Sequence, residues 1–437
     1  MIYIVGGYVI DPKSGFEGYR DILIKDSRIA CIAKAGKPLA ELLETSGLET
    51  YTKQMDETMQ LDANGMIIAP GLVDVHVHFR DPGFTYKEDI ESGAKAAAKG
   101  GFTSVVLMAN TKPAVDNEET LGYVLEKGKK TGIRVYSCAN VTKGMKGEEL
   151  VDMAALSDAG AVGFTDDGIT ILDEELLREA LKKASGLGKP VSLHEEDPNF
   201  ITNNGINSGK AAGHYGIGGS PREAEISMVE RDVKIAIEQE ADLSIQHIST
   251  KEAVELVRQA KRHSCHIYAE ATPHHFTLNE EAAIRHGTLA KMNPPLREEE
   301  DRLAIIEGLK DGTIDIIATD HAPHSDKEKS KSITEAPSGI IGLETALSLG
   351  IRELVKPGHL TMAELIDKMS LAPARLYKLD AGYIAENAPA DLVIFDKDAE
   401  WKVKDFASKS SNSPFIGEIM PGVVKYTICN GKIVYKN

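Results

Sequence analysis

The segment Asp74-Val75-His76-Val77-His78 sets two imidazoles two residues apart in a run of β-branched residues. Residues i and i+2 of a strand project from one face, so His76 and His78 point the same way. Neutral imidazoles ligate zinc and similar ions. An isolated His-x-His reads equally well as two solvent-facing histidines, but this one has company. His194 stands in Ser-Leu-His-Glu-Glu-Asp and His247 in Ile-Gln-His-Ile-Ser. Asp320 stands in Ala-Thr-Asp-His-Ala-Pro-His, and the pair Asp166-Asp167 in Gly-Phe-Thr-Asp-Asp-Gly. Four histidines and two aspartates are more than one tetrahedral zinc uses. Two metals bridged by a carboxylate account for all six, and a hydroxide shared between them is a strong nucleophile near neutral pH. The chemistry this predicts is hydrolytic. Zinc is the first expectation for so many histidines, although nitrogen and oxygen ligands also accept manganese, cobalt or iron.

The elements that must position these groups follow from the apolar pattern. Between Pro70 and about Leu379, short apolar runs alternate with longer amphipathic stretches. The runs are Leu72–Val77, Ser104–Met108, Arg134–Cys138, Ala161–Phe164, Pro190–Leu193, Leu243–Gln246, His266–Ala269 and Asp315–Ala318. Glu174–Ser185, Ala224–Gln239 and Lys251–Arg262 are among the intervening helices. Eight such alternations predict an α/β fold, a parallel (β/α)8 TIM barrel rather than an open doubly wound sheet. All the candidates then sit at the C-terminal mouth, where barrel enzymes place their sites. Their spacing agrees. His78 to Asp167 is 89 residues, three units of about 30, and Asp167 to His194 is 27, one unit. His194 to His247, at 53, is too long for one; the excess falls in Asn203–Ser220, read as a long loop over the mouth.

Both ends of the chain are strand-rich. Ile2–Val5, Tyr8–Ile10, Asp21–Ile24, Ile29–Ile32 and Met66–Ile68 precede the barrel; Ala390–Phe395, Val424–Cys429 and Lys432–Tyr435 follow it. Asn430-Gly431 is a hairpin signal. The simplest assembly pairs residues 1–69 with 381–437 in one small domain beside a 70–380 barrel. Residues 36–60 are polar and read as a surface insertion, with a turn of helix at Ala40–Glu44.

Composition narrows the partners. The balance of 50 basic against 67 acidic residues, net −17, argues against a nucleic-acid surface but not against a small anion held in a local field. The four cysteines are scattered, without a C-x-x-C pair, which fits a reducing cytoplasm and metals held by nitrogen and oxygen. The N-terminus has no signal-peptide pattern, and no apolar stretch approaches the length of a membrane span.

His76-Val77-His78-Phe79-Arg80-Asp81-Pro82-Gly83 resembles the H-x-H-x-R-x-P-G segment of dihydroorotases. With Met108–Thr111, Gly163–Gly168, Asn293-Pro294-Pro295 and Thr319–His324 it is similar to the long bacterial type of that family, over essentially the whole chain. The resemblance implies a β-sandwich for the paired ends, as in the amidohydrolase superfamily. It implies two zinc ions per chain. His76 and His78 would hold one and His194 and His247 the other, with Asp167 bridging and Asp166 excluded by the spacing to His194. Asp320 would ligate the first metal and act as general acid/base. Arg80, Asn110 and His324 would clamp a substrate carboxylate, which suits the planar fork of arginine. Asn293 would bond the pyrimidine ring, and backbone around Pro337 and Gly339 would touch substrate. His274 and His275 are read as supporting or packing residues, and His214, His263, His266, His286 and His359 as structural. Residues 325–336 read as a polar, mobile loop.

The activity so implied is the reversible cyclisation of N-carbamoyl-L-aspartate to (S)-dihydroorotate in pyrimidine (UMP) biosynthesis. Two departures bear on it. Glu195 follows His194 where many relatives have cysteine. Strand four ends in Asp166-Asp167 rather than the carboxylated lysine of hydantoinases and allantoinases, which shifts weight away from those cyclic amides. Two alternatives stay open here. One is another cyclic amidohydrolase; one is a non-catalytic subunit associated with aspartate transcarbamoylase; and a homodimer is compatible with either.

Overall fold

A computed structural model of the chain describes residues 1–45, 47 and 58–437. Five strands open it: β1 (Ile2–Asp11), β2 (Phe16–Lys25), β3 (Arg28–Lys34), β4 (Met59–Asp62) and β5 (Ile67–Pro70). Seven belong to the barrel: β6 (Leu72–Val77), β7 (Phe102–Leu107), β8 (Arg134–Ser137), β9 (Val191–Leu193), β10 (Leu243–Ile245), β11 (Ile267–Ala271) and β12 (Ile316–Ile317). Three close the chain: β13 (Leu392–Lys402), β14 (Ile419–Cys429) and β15 (Lys432–Lys436).

The barrel strands run parallel in two blocks, β6-β7-β8 and β9-β10-β11-β12. Single parallel bridges join the blocks. Phe164 pairs with Ala139 on one side and Val191 on the other, so the expected fourth strand shrinks to one bridging residue. At the seam, Val77 pairs with His321, and the His78 amide donates to the His321 carbonyl at 2.9 Å. The circuit of eight is thereby closed, as the βα alternation predicts. Helices such as Glu174–Leu187, Glu223–Gln239 and Lys251–Ala260 turn their buried residues inward onto it. Asp74 reinforces the seam. Its buried carboxylate accepts from the Thr319 amide at 3.1 and 3.3 Å and from the His76 amide at 3.1 Å. Removing such an acceptor leaves buried donors unpaired, at about 1–3 kcal/mol.

The terminal strands form one eight-stranded sheet in the order β15-β14-β13-β5-β1-β2-β3, with β4 on β1. The first two strands expected from the sequence are one strand, offset by a bulge between Ile4 and Gly7 that lets β1 pair with both β4 and β5. The sheet folds around its own apolar core, which includes Ile4, Ile22, Ile24, Ile68, Leu392 and Ile394. The β2–β3 turn reaches the segment before β13 through the Arg28–Pro389 bridge. Asn430 and Gly431 both take positive φ (52° and 70°), as the hairpin between β14 and β15 demands.

Three expectations are corrected or delimited. In 36–60, the helix Leu39–Thr45 covers the predicted turn and β4 is an unforeseen strand; residues 46 and 48–57 lie outside the described residues. The stretch 203–220 is not wholly loop, since it contains the helix Lys210–Tyr215 and is pinned by an Asn207–Ser220 bridge. The segment 325–336 is anchored, because it begins with the capped helix Asp326–Lys329, and Lys329 is buried.

Candidate active site

One wall of the barrel mouth is a His–Asp cluster carried on strand ends. His76 and His78 come from β6 and its exit, Asp167 follows the Phe164 bridge, and His194, His247 and Asp320 follow β9, β10 and β12. His78 Nε2 lies 2.9 Å from Asp320 Oδ1 and 3.4 Å from Asp167 Oδ2. His76 Nε2 lies 3.5 Å from an oxygen of each aspartate. His247 Nε2 is 3.7 Å from Asp167 Oδ1 and 3.0 Å from His194 Nδ1. Three triads have ligand atoms all within 4.8 Å of one another: His76-His78-Asp167, His76-His247-Asp320 and Asp167-His194-His247. Asp167 belongs to two of them. All six residues are buried, and among the described residues His76 Nε2 has no hydrogen-bond partner. A buried, unsatisfied imidazole nitrogen facing two carboxylates is costly without a cation. The donor set fits a metal ion of the zinc type.

Each ring but one is held from behind. His76 Nδ1 meets Glu270 Oε2 at 3.1 Å, and Glu270 also accepts from Ser244. His78 Nδ1 meets Asn110 Oδ1 at 3.0 Å. His194 Nε2 lies 3.2 Å from Glu196 Oε2 and 3.2 Å from Asn293 Nδ2. Such partners fix ring orientation and leave the other nitrogen for the mouth. Among the described residues His247 Nδ1 has no such partner. The charges are coupled accordingly. Burial alone would raise the carboxylates, but the His76 charge outweighs it, placing Asp167 well below the usual range and Asp320 at about 2, the latter helped by the His78 hydrogen bond. Burial opposes protonation of His76, yet Asp167 and Asp320 carry it well above the ordinary imidazole value. His247 and Asp320 hold positive φ (32° and 45°), as does Arg80 (59°). Strained backbone of this kind collects at functional sites.

The opposite wall is cationic and built from loops. A cavity of about 260 Å³ separates it from the cluster, lined by Arg80, Asn110, Asn293, His324 and Gly339 together with His78, Asp167, His194, His247 and Asp320. Arg80 donates from Nε to the Pro323 carbonyl at 3.3 Å, and Nη2 lies 3.5 Å from His324 Nε2. Among the described residues its guanidinium pairs with no carboxylate. An unpaired, desolvated arginine facing a cavity invites an anion. Gly339 suits its place because φ is +148° and a Cβ there would sit 2.7 Å from both the Ala322 carbonyl and the His324 ring. Pro337 does not line the cavity; its carbonyl accepts from Lys329 at 3.0 Å. Asn110 spends its amide on the cluster, accepting from His78 and donating to Asp167 at 3.2 Å.

A match to the amidohydrolase family spans residues 67–434. The chain belongs to that family. It is 54% identical to a dihydroorotase of Clostridioides difficile and 50% identical to one of Clostridium acetobutylicum, in each case across 100% of both chains. Among solved structures, an L-hydantoinase from Arthrobacter aurescens is similar with a TM-score of 0.84, covering 100% of this chain and 96% of that one. At 24% identity that likeness shows the amidohydrolase barrel and its separate sheet, not the substrate.

The amidohydrolase mouth also contains residues that sequence reading missed. Asn204, Met292 and Ser338 line the cavity. Glu270 and Glu196 stand behind ligand candidates, and Lys87, Glu328 and Asn412 stand behind the cationic wall. None carries a local motif. A signal existed only for Glu196, in the Ser-Leu-His-Glu-Glu-Asp segment two residues after His194. Asp166 turns from the cluster to accept from the amides of Val141 and Thr142 and the side chain of Asn140. His275 is spent on Thr272 and the Pro294 carbonyl, with burial pushing it down to about 3.

Proposed function

We propose that the protein catalyses the dihydroorotase reaction, opening (S)-dihydroorotate to N-carbamoyl-L-aspartate and closing it again. The observation that carries this reading is a cation without a carboxylate partner among the described residues, Arg80, set across one cavity from a buried His–Asp cluster. A cyclic amide bearing a carboxylate matches both walls at once. Full-length identity of 50–54% to proteins named dihydroorotase supports the same reading.

His76, His78, His194, His247, Asp167 and Asp320 would hold two zinc ions. Bound metal supplies an acidified water and polarises the amide carbonyl. The remaining steps belong to the chain. Asp320, ionised at neutral pH, takes the proton released by the attacking water and gives it to the ring nitrogen as the carbonyl carbon–nitrogen bond breaks. In the closing direction the carbamoyl nitrogen attacks the side-chain carboxyl, Asp320 takes the nitrogen's proton, and water leaves. Arg80 and His324 bind the substrate carboxylate, backbone at Gly339 approaches it, and Asn293, whose Oδ1 has no partner among the described residues, bonds the ring. The fold-level likeness to hydantoinases makes the test direct. Purified, zinc-loaded protein should hydrolyse dihydroorotate far faster than hydantoin or allantoin, and activity on hydantoin alone would reject the assignment.

A further inference from the structure

Lys87 is buried in the loop that follows β6, far from any expected role, and its ammonium lies 3.2 Å from His324 Nδ1. It also donates to Glu328 Oε1 at 2.9 Å, an oxygen shared with the Tyr86 hydroxyl at 3.0 Å. An ammonium can only donate. His324 Nδ1 must therefore accept, which requires it to be unprotonated. Glu328 Oε2 stands 3.9 Å from the same nitrogen, too far to take a proton from it. At the ring's other edge His324 interacts with the Ser338 carbonyl and Nε2 lies against Gly339. The donor-only Arg80 Nη2 also lies there, but at 3.5 Å, against 3.2 Å for Lys87 at Nδ1, it makes the weaker claim on a ring lone pair. Burial, then Arg80, Lys87 and Lys329, hold the imidazole far below its ordinary value, so it is neutral.

We propose that Lys87 is a positioning residue that fixes His324 as the Nε2–H tautomer, so that the ring presents a donor, beside the Arg80 fork, to the substrate carboxylate. Without Lys87 nothing holds Nδ1 bare and only the Ser338 carbonyl favours a proton on Nε2; in the other tautomer the ring would present a lone pair to an anion. The ring nitrogen that faces the cavity would then repel the ligand it should bind. Lys87 also adds a fixed positive charge behind the contact, joining the loop after β6 to the loop after β12. This inference rests on the dihydroorotase reading for its ligand, but not for its tautomer.

The test combines spectroscopy with kinetics. Histidine ring nitrogens are labelled with ¹⁵N, and the His324 signals are assigned by their loss in His324→Gln. Wild type should show His324 protonated at Nε2 and bare at Nδ1; a proton on Nδ1, or on both, overturns the proposal. Lys87→Met should mix the tautomers and raise KM for dihydroorotate about tenfold, the scale of one charge-assisted hydrogen bond, with kcat and metal content little changed. Lys87→Arg should restore the wild-type tautomer and most of the affinity. An unaltered KM in Lys87→Met would refute the role. If Lys87→Met fails to fold, the wild-type and Lys87→Arg spectra still decide. Protein inert on dihydroorotate would sink the dihydroorotase reading alone, because the nitrogen signals do not depend on turnover.

Discussion

The two walls of the mouth place the same side chain in opposite fields. On the His–Asp wall, His76 is driven toward its charged form by Asp167 and Asp320. On the other wall, His324 is kept neutral by burial and by Arg80, Lys87 and Lys329. One wall concentrates imidazole and carboxylate ligand atoms; the other concentrates the cations Arg80, Lys87 and Lys329. The difference fits the proposed function, with one half-site complementary to metal and one to a carboxylate. On that reading a substrate that bridges them would be held by its acid group and attacked at its amide. Each wall should then fail in its own way when damaged.

The largest effect is expected from Asp320→Ala. It removes the proposed proton carrier from the His–Asp wall while leaving the four histidines and the cationic wall in place. Initial rates of dihydroorotate hydrolysis should fall about a thousandfold or more, within the range of general acid–base catalysis and loss of a ligand. Metal analysis should still find bound zinc, and substrate should still bind. Near-normal turnover would break the division of labour argued above.

Glu270→Gln sharpens it. The carboxylate behind His76 is the charge that orients and enriches that ring, and the amide keeps its shape. Metal affinity, measured by competition with a chelator, should weaken about tenfold. KM for dihydroorotate in metal-saturated protein should stay close to wild type, because the cationic wall is untouched.

The walls also differ in how far the sequence discloses them. The His–Asp wall is legible because it sits on strand ends, where period-two spacing and the βα repeat bring distant residues to one rim. The same logic yields the barrel, although Ala161–Phe164 contracts to a bridge. The cationic wall is assembled by loops. Arg80 and His324 are visible through resemblance, but Lys87, Glu328 and Asn412 lie up to 325 residues apart and meet only through loop conformations, which no periodicity encodes. Left-handed backbone at Arg80, His247 and Asp320 was equally unreadable, since none is glycine.

Asn412 tests the loop-built wall. Its side chain donates to the Ala322 and Gly339 carbonyls at 3.0 Å each and accepts from the His324 amide at 3.0 Å. It thus ties the segment after β13 to both loops of the carboxylate half-site. Asn412→Ala should leave these buried groups unpaired and lower stability in urea unfolding by about 1–3 kcal/mol. KM should rise severalfold while metal affinity holds. A loss of metal instead would mean that the walls are not separable.

The smallest effect concerns pH and Lys329, which donates to the Pro337 and Gly339 carbonyls at 3.0 Å each and has no carboxylate partner among the described residues. Burial, then the charge of Lys291, lowers its ammonium from 10.5 to about 7. Between about pH 7 and 10.5 the unfolded chain therefore binds a proton at this residue that the folded chain has released. Stability must rise with pH across that window and show no slope from this group below it, where both states are protonated. A neutral amine retains two donors, enough for both carbonyls, so the loop and the Gly339 contact survive the titration. Urea midpoints of wild type and Lys329→Met, compared from pH 6 to 10, should diverge in wild type's favour as pH rises, while KM shows no matching break near 7. A KM that did follow that titration would make Lys329 part of the anion site itself and extend the cationic wall beyond Arg80, Lys87 and His324.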